Sequence, residues 1–484
     1  MEPPVNLAMH LAQVDGHSVL AAEVAEVHPS HRPCFYRNQG MYRGSYIRTG
    51  DGERVMTEYE VYLALASRQQ PADDRTPVGE AGVEDLDPQM VESLLGRVRT
   101  RRPGLATEYS SRDDILKMLN VMSPDGQHPT VAGLLALGRF PQRFFPNAAI
   151  TVVAYSGNEP DPVTRLELDV KCEGALIKML DTAVNVLQRV SKRRVQVTGI
   201  THQDIPEYPP LALREVLANA LIHRDYGRYA IGSQVQVRLY SDRIEVQNPG
   251  GLYGSVSVDQ LGEPGLEVTR NAALANLAED MGLMENRGTG IRVIMGEMRR
   301  SLLPPPDWYD GISYFRVTLH NSTVMDEGTL TWLARVAPAN LTDRQRYTLA
   351  CLLHQGRLEE HGYRRINMTD ATTARRELQA LMRVGLINSV DSRRGKVYEL
   401  KSELSAKTVS AAEDPPLSDW EAGLLSLLRK SAQPLSTREL GVLTNRNRQS
   451  VLRALKRLLN RGLVLPTSAA VRDRRQKYRA KPII

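Results

Sequence analysis

The chain has 484 residues, an apolar content of 42% and a formal net charge of +6, enough length for about three or more domains with real cores. No run of about 18 apolar residues predicts a transmembrane helix. The proline-bearing N-terminus is not a signal peptide, and three scattered cysteines, Cys34, Cys172 and Cys351, argue for neither a disulfide frame nor a zinc site, which reads as a cytoplasmic chain. The charge is uneven: residues 417–484 hold about fifteen Lys and Arg against about four Asp and Glu, leaving the rest near −5, so the cationic partner surface is expected at the C-terminus.

In residues 1–70, a strand is predicted over 18–27, a glycine-bearing hairpin over 36–48 and a helix over 57–66. Tyr36, Arg37, Arg43 and Arg48 could touch nucleic acid or simply pack the hairpin. Residues 71–88, rich in Pro, Asp and Gly, read as a linker. Residues 89–200 read as an α/β connector, with helices at 113–119, 128–138 and 174–190 and a strand at 148–154. No chemistry is legible there.

Residues 207–226 read E-Y-P-P-L-A-L-R-E-V-L-A-N-A-L-I-H-R-D-Y. Pro209 and Pro210 suit a helix start, and the following positions are almost all apolar. Glu215, Asn219 and His223 recur every four residues, so they form one polar stripe. One reading is a solvent-facing stripe. The other is a nucleotide–magnesium site, with a carboxylate able to polarise water and an amide oxygen suited to Mg²⁺.

Two strands follow, at 234–240 and 243–247, ending at Asn248-Pro249-Gly250-Gly251. Farther on, Gly288-Thr289-Gly290 opens an apolar helical run, a place where free N–H groups meet phosphate. In this order the motifs resemble the GHKL (Bergerat) ATP-binding domain shared by gyrase-type ATPases, MutL and histidine kinases. The resemblance implies Glu215 as catalytic base and Asn219 as magnesium ligand. It further implies Asn248 as adenine reader, Gly250 and Gly251 as the first glycine box, and Gly288 and Gly290 as the second. The segment 252–287 would be a lid over ATP, with Arg270 and Asn271 near its phosphates. Two departures stand out: the family usually has Asp where this chain has Asn248, and D-x-G-x-G is replaced by N-P-G-G.

The strings A-L-R-E-V-L-A-N-A-L-I-H-R-D-Y, D-R-I-E-V-Q-N-P-G-G-L, R-N-A-A-L-A and G-T-G-I-R-V-I more closely resemble bacterial Schlafen-like (AlbA-type) regulators, from near residue 30 to about residue 400. By that resemblance residues 1–70 are the second half of an AlbA-like domain; the first half, with the acidic residues that give some Schlafen proteins nuclease activity, would lie upstream of Met1, so either the start codon is misassigned or the domain is degenerate.

Residues 341–401 read as a winged helix, with helices at 342–354 and 369–384, a Thr369 or Asp370 cap, exposed Arg375 and Arg376, and a wing tip at 392–396. Residues 402–416 are an Ala/Ser/Pro linker. Residues 417–484 read as a second, basic winged helix, in which Ser436 and Glu439 form a capping box and Val451, Leu455 and Leu458 face the core. In its recognition helix, Arg446, Arg448 and Gln449 are the base-reading candidates. Arg453, Lys456 and Arg457, and wing residues Arg472, Arg474, Arg475 and Lys477, would meet phosphates of double-stranded DNA; the other readings are a protein-contact surface or a simply solvated basic helix.

The expected fold class is therefore α+β and multidomain: a truncated AlbA-like remnant, a GHKL-type α/β sandwich at 201–320 and two winged helices. The preferred function is a DNA-binding transcriptional regulator whose ATP–Mg²⁺ state, reset by slow hydrolysis, modulates its winged helices, as a nucleoid-associated bacterial protein and a possible homodimer. The alternative is an ATP-dependent nucleic-acid-processing or phage-defence enzyme; the P-loop of a helicase motor is absent. A plain DNA binder with an inert ATP fold is the third reading.

Overall fold

A computed structural model describes residues 1–14, 17–25, 27–49, 52–66, 68–109, 111–158, 166–198, 201–254, 256–263, 265, 268–284, 289–338, 340–392, 395–406, 419–431, 434–444, 451, 454–455, 458, 463–466 and 477–480. The chain divides into two units, Met1–Lys401 and Ser402–Ile484.

A mixed six-stranded sheet organises the first unit. Its strands are β1 (Ile150–Tyr155), β2 (Leu166–Cys172), β3 (Val235–Leu239), β4 (Arg243–Pro249), β5 (Asp307–Asp310) and β6 (Tyr314–His320), in the order β5-β6-β4-β3-β1-β2. The β1–β3 pair is parallel and the others are antiparallel. Alternation of apolar and polar residues gives the sheet one buried face. The register aligns Val152, Val237, Val246, Val317 and Trp308 across five strands of that face, and all five are buried. The other face carries Glu245, paired with Arg243 at 2.8 Å and with Arg316 at 4.0 Å.

Helices cover the apolar face. After α1 (Pro88–Arg101) and α2 (Val131–Leu137), α3 (Leu176–Val190) packs on β1 and β2. Then α4 (Pro210–Ile222) packs on α3 and β4, and α5 (Ala272–Asp280) on α1 and α2. Last, α6 (Gly290–Arg300) lies against α4.

Two expected boundaries dissolve in this body. The strand expected at 148–154 is found, yet it joins the same sheet as β3 and β4 rather than a separate connector. Parallel pairing needs a long crossover, here through α3 and α4, and no local pattern announces it. The expected linker at 71–88 is also packed in. Asp74 is fully buried, and its Oδ2 accepts from the N–H groups of Ala273 (2.8 Å) and Leu274 (3.0 Å), capping α5. Burial pushes that carboxyl above its ordinary pKa.

At the N-terminus, Leu7–Val14 pairs with His17–Val24, and Tyr46–Thr49 with Gly52–Val55. The strand expected at 18–27 is thus one arm of a hairpin, and the helix expected at 57–66 is Glu58–Ala66.

The first unit ends in α7 (Asp343–Gln355), β7 (Arg357–Glu359), α8 (Glu360–Asn367), α9 (Ala371–Arg383), β8 (Ile387–Ser392) and β9 (Gly395–Leu400), with an antiparallel sheet in the order β7-β9-β8. Asp370 caps α9 by accepting from the Thr373 N–H at 2.9 Å. The second unit has helices Asp419–Lys430 and Thr437–Thr444 and three short antiparallel strands. Its core contains Leu424, Leu440, Val451, Leu455 and Leu458, and the Ser436–Glu439 capping box is made.

Candidate functional site

The polar stripe on α4 faces α6, because the remaining positions of α4 bury Leu213, Val216, Leu217 and Leu221. Asn219 Nδ2 donates to Glu215 Oε1 at 3.1 Å. Both side chains lie against Gly290, the first residue of α6: a Cβ there would run into Glu215 Oε1 and come within 3.0 Å of Asn219 Nδ2. Glycine thus lets the N-terminus of α6 close onto the stripe.

Beside this contact lies a cavity of about 430 Å³, lined by Asn219 and His223 from α4, Asn248 from β4, Gly251, Arg270 and Gly290. A volume of this order suits a small-molecule ligand. Its sheet-side floor is apolar, made by Val246, Trp308, Phe315 and Val317, with the Trp308 and Phe315 rings stacked at 6.3 Å. Asn248 is buried at the end of this floor, directly opposite Phe315 in the register.

Arg270 supplies positive charge. It is 6% exposed, donates through Nη2 to the Gly251 carbonyl at 3.0 Å, and meets Asp225 at 3.4 Å. Its Nε is buried and has no hydrogen-bond partner among the described residues. Burial first, and the nearby Arg270 second, push the His223 imidazole down to about 4, so it is neutral near pH 7.

The glycine pair after β4 has steric reasons. Gly250 sits at φ +88°, with Asp225 Cβ 2.7 Å from where its own Cβ would stand, and Gly251 closes against Asp310 and Ile312. Asp310 Oδ1 accepts from the N–H groups of Leu252 and Ile312, and burial raises its pKa.

Among the expected site residues, Asn219, Asn248, Gly251, Arg270 and Gly290 therefore converge on one cavity, with Glu215 directly behind Asn219. Gly250 shapes the loop rather than the wall. Asn271 points elsewhere: its Nδ2 donates to the carbonyls of Ile222 (2.8 Å) and Arg224 (2.7 Å), closing the end of α4. Gly288 lies outside the described residues, as do Arg446, Arg448, Gln449, Arg453, Lys456, Arg457, Arg472, Arg474 and Arg475. Lys477 is exposed on the strand Lys477–Ala480. Sequence reasoning missed Gln70, Thr269 and Asn276 in the wall. It also missed Asp225, whose only signal was its place in H-R-D-Y beside the stripe.

Residues 232–319, from β3 to β6, match the HATPase_c_4 family model, described as "Putative ATP-dependent DNA helicase recG C-terminal". This likeness supports an ATPase-type domain; the matched stretch holds Asn248, Arg270 and Gly290 and begins after the α4 stripe. Residues 63–151 match a domain of unknown function, DUF8451. Among solved structures, the DIP2311 protein from Corynebacterium diphtheriae is 20% identical, with 98% of this chain and 80% of that chain covered at a TM-score of 0.44. No curated protein matches the sequence. No helix among the described residues is long and apolar enough to cross a membrane.

Proposed function

We propose that the cavity binds ATP with Mg²⁺ and that its occupancy modulates DNA binding by the C-terminal helical modules. In this reading the Val246–Trp308–Phe315 floor takes the base and Asn248 reads its edge. Arg270 and the N–H groups opening α6 take phosphate charge. Asn219 would hold Mg²⁺ through its Oδ1. Mg²⁺ commonly completes its shell with phosphate oxygens and water. Glu215, against Asn219, would act as general base toward the attacking water.

The observation that carries the coupling is the stretch 258–263. Leu261, Gly262 and Glu263 border both the 430 Å³ cavity and a second one of about 340 Å³. That second cavity separates the stretch from α8. Three contacts span the gap: Arg364–Glu263 at 3.3 Å, His361–Asp259 at 3.6 Å, and Arg365 Nη1 donating to the Val258 carbonyl at 3.3 Å. A ligand pressing on one side of this wall thereby acts on α8 from the other. The helix–strand–helix–helix–strand–strand order of residues 343–400 supports reading them as a winged helix, with the basic C-terminal unit as a second DNA-binding module.

Such coupling requires ATP to favour one arrangement over the other. Fluorescence anisotropy of labelled duplex DNA, with and without ATP·Mg²⁺, tests it on wild type, Asn219→Ala and Arg364→Ala. An ATP-dependent affinity change lost in both variants is expected. DNA binding indifferent to ATP would overturn the coupling, and no DNA binding at all would favour the enzyme reading.

A further inference from the structure

The nucleotide cavity is completed by residues from a part of the chain that its motifs do not touch. The helix Glu58–Ala66 brings Tyr59 to Asp225, where the Tyr59 hydroxyl donates to Asp225 Oδ2 at 2.8 Å. The same Oδ2 is the atom that meets Arg270 Nη1. Asp225 is itself fixed, because its Oδ1 accepts from the Gly227 N–H at 2.8 Å and its own N–H donates to the Pro249 carbonyl at 2.9 Å. Four residues beyond that helix, Gln70 lines the cavity, and its Nε2 donates to the carbonyls of both Thr269 and Arg270 at 2.9 Å. Side chain and backbone of Arg270 are therefore both set by the stretch 58–70.

The state of Arg270 gives this arrangement a purpose. A guanidinium buried to 6% exposure is costly unless its donors are met. Here Nη2 meets the Gly251 carbonyl, Nη1 the Asp225 carboxylate at 3.4 Å, the guanidinium lies over the Tyr253 ring, and Nε has no acceptor among the described residues. An anion arriving from the cavity would supply the missing acceptors. Arginine also recognises phosphate by a planar fork, so its orientation matters as much as its charge.

We propose that Tyr59, Asp225 and Gln70 are positioning residues that aim Arg270 at the phosphate groups of the nucleotide, making the stretch 58–70 part of the binding site. The proposal rests on the nucleotide reading above. It separates two kinds of binding energy: contacts to the base and sugar come from the sheet floor, and contacts to phosphate depend on Tyr59 and Gln70. Because Tyr59→Phe deletes one oxygen from a ring that stays packed against Tyr229, it tests orientation without emptying the site.

The experiment is competition of ATP and of adenosine against a fluorescent ATP analogue, on the full chain, for wild type, Tyr59→Phe and Gln70→Ala. Loss of one hydrogen bond in Tyr59→Phe predicts ATP affinity weakened about fivefold, and loss of two in Gln70→Ala at least as much. Adenosine affinity should stay within about twofold of wild type, since its contacts lie elsewhere. Equal losses for ATP and adenosine would mean a merely structural role and overturn the proposal, as would unchanged ATP affinity. Failure of the wild type to bind ATP would overturn the nucleotide reading itself and this inference with it.

Discussion

Arg224 and Arg270 are both buried cations within reach of the end of α4, and they have opposite fates. Arg224, 1% exposed, donates to the carbonyls of Asn147, Ala230, Ile231 and Ser233, and it does not line the cavity. Arg270, hardly more exposed, meets one carbonyl, the Asp225 carboxylate at 3.4 Å and the face of the Tyr253 ring, and borders the cavity. The two asparagines divide in the same way. Asn271 spends its amide on two backbone carbonyls, whereas Asn219 is tied to the side chain of Glu215 beside open space. Both guanidinium groups keep a buried Nε without a partner among the described residues, but behind the helix end the other donors are spent on four backbone carbonyls that hold the fold. In front of it they are left short, and a ligand can complete them.

The largest effect expected from this contrast is on stability. Arg224→Ala releases a loop held by four carbonyl contacts and should cost about 3 kcal/mol, read by urea unfolding. Arg270→Ala should cost less stability and most of the ATP affinity; equal stability losses would erase the distinction between the two arginines. Next comes Gly290→Ala. Alanine is a good helix former, yet its Cβ would displace Glu215 and Asn219. It should therefore leave the melting temperature within a few degrees of wild type, for a change of about 1 kcal/mol or less, and abolish ATP turnover.

The smallest effect concerns pH. His223 has its folded pKa depressed to about 4, below the unfolded value of roughly 6.5. The unfolded state thus binds more protons between these limits. Stability should be fully present above about pH 6.5 and decline as the pH falls toward 4, by about 1–2 kcal/mol once screening at a half-buried, cavity-lining ring is included. Unfolding curves for His223→Gln should lose that slope. An unchanged slope would assign it to other groups.

Much of this was legible in local pattern. The α4 stripe, the alternation in β3 and β4, and the glycines at 250, 251 and 290 announce themselves within a few residues. The remainder depends on distance along the chain. Tyr59 meets Asp225, Gln70 holds residues 269 and 270, and Asp74 caps α5, each across more than 160 residues. A buried Asp in a Pro- and Gly-rich stretch looks like a solvated linker until the helix it caps is present. The arginines in L-A-L-R-E and I-H-R-D-Y likewise look alike in sequence. Arg214 pairs with Asp181 near the surface, and only packing makes Arg224 internal.

The most direct test is calorimetric titration of ATP into wild type and Asn219→Ala, once with Mg²⁺ and once with excess chelator. One site per chain is expected in the wild type, tightened by Mg²⁺, with that tightening lost in Asn219→Ala. Absence of binding, or a Mg²⁺ dependence that survives Asn219→Ala, would contradict the nucleotide reading.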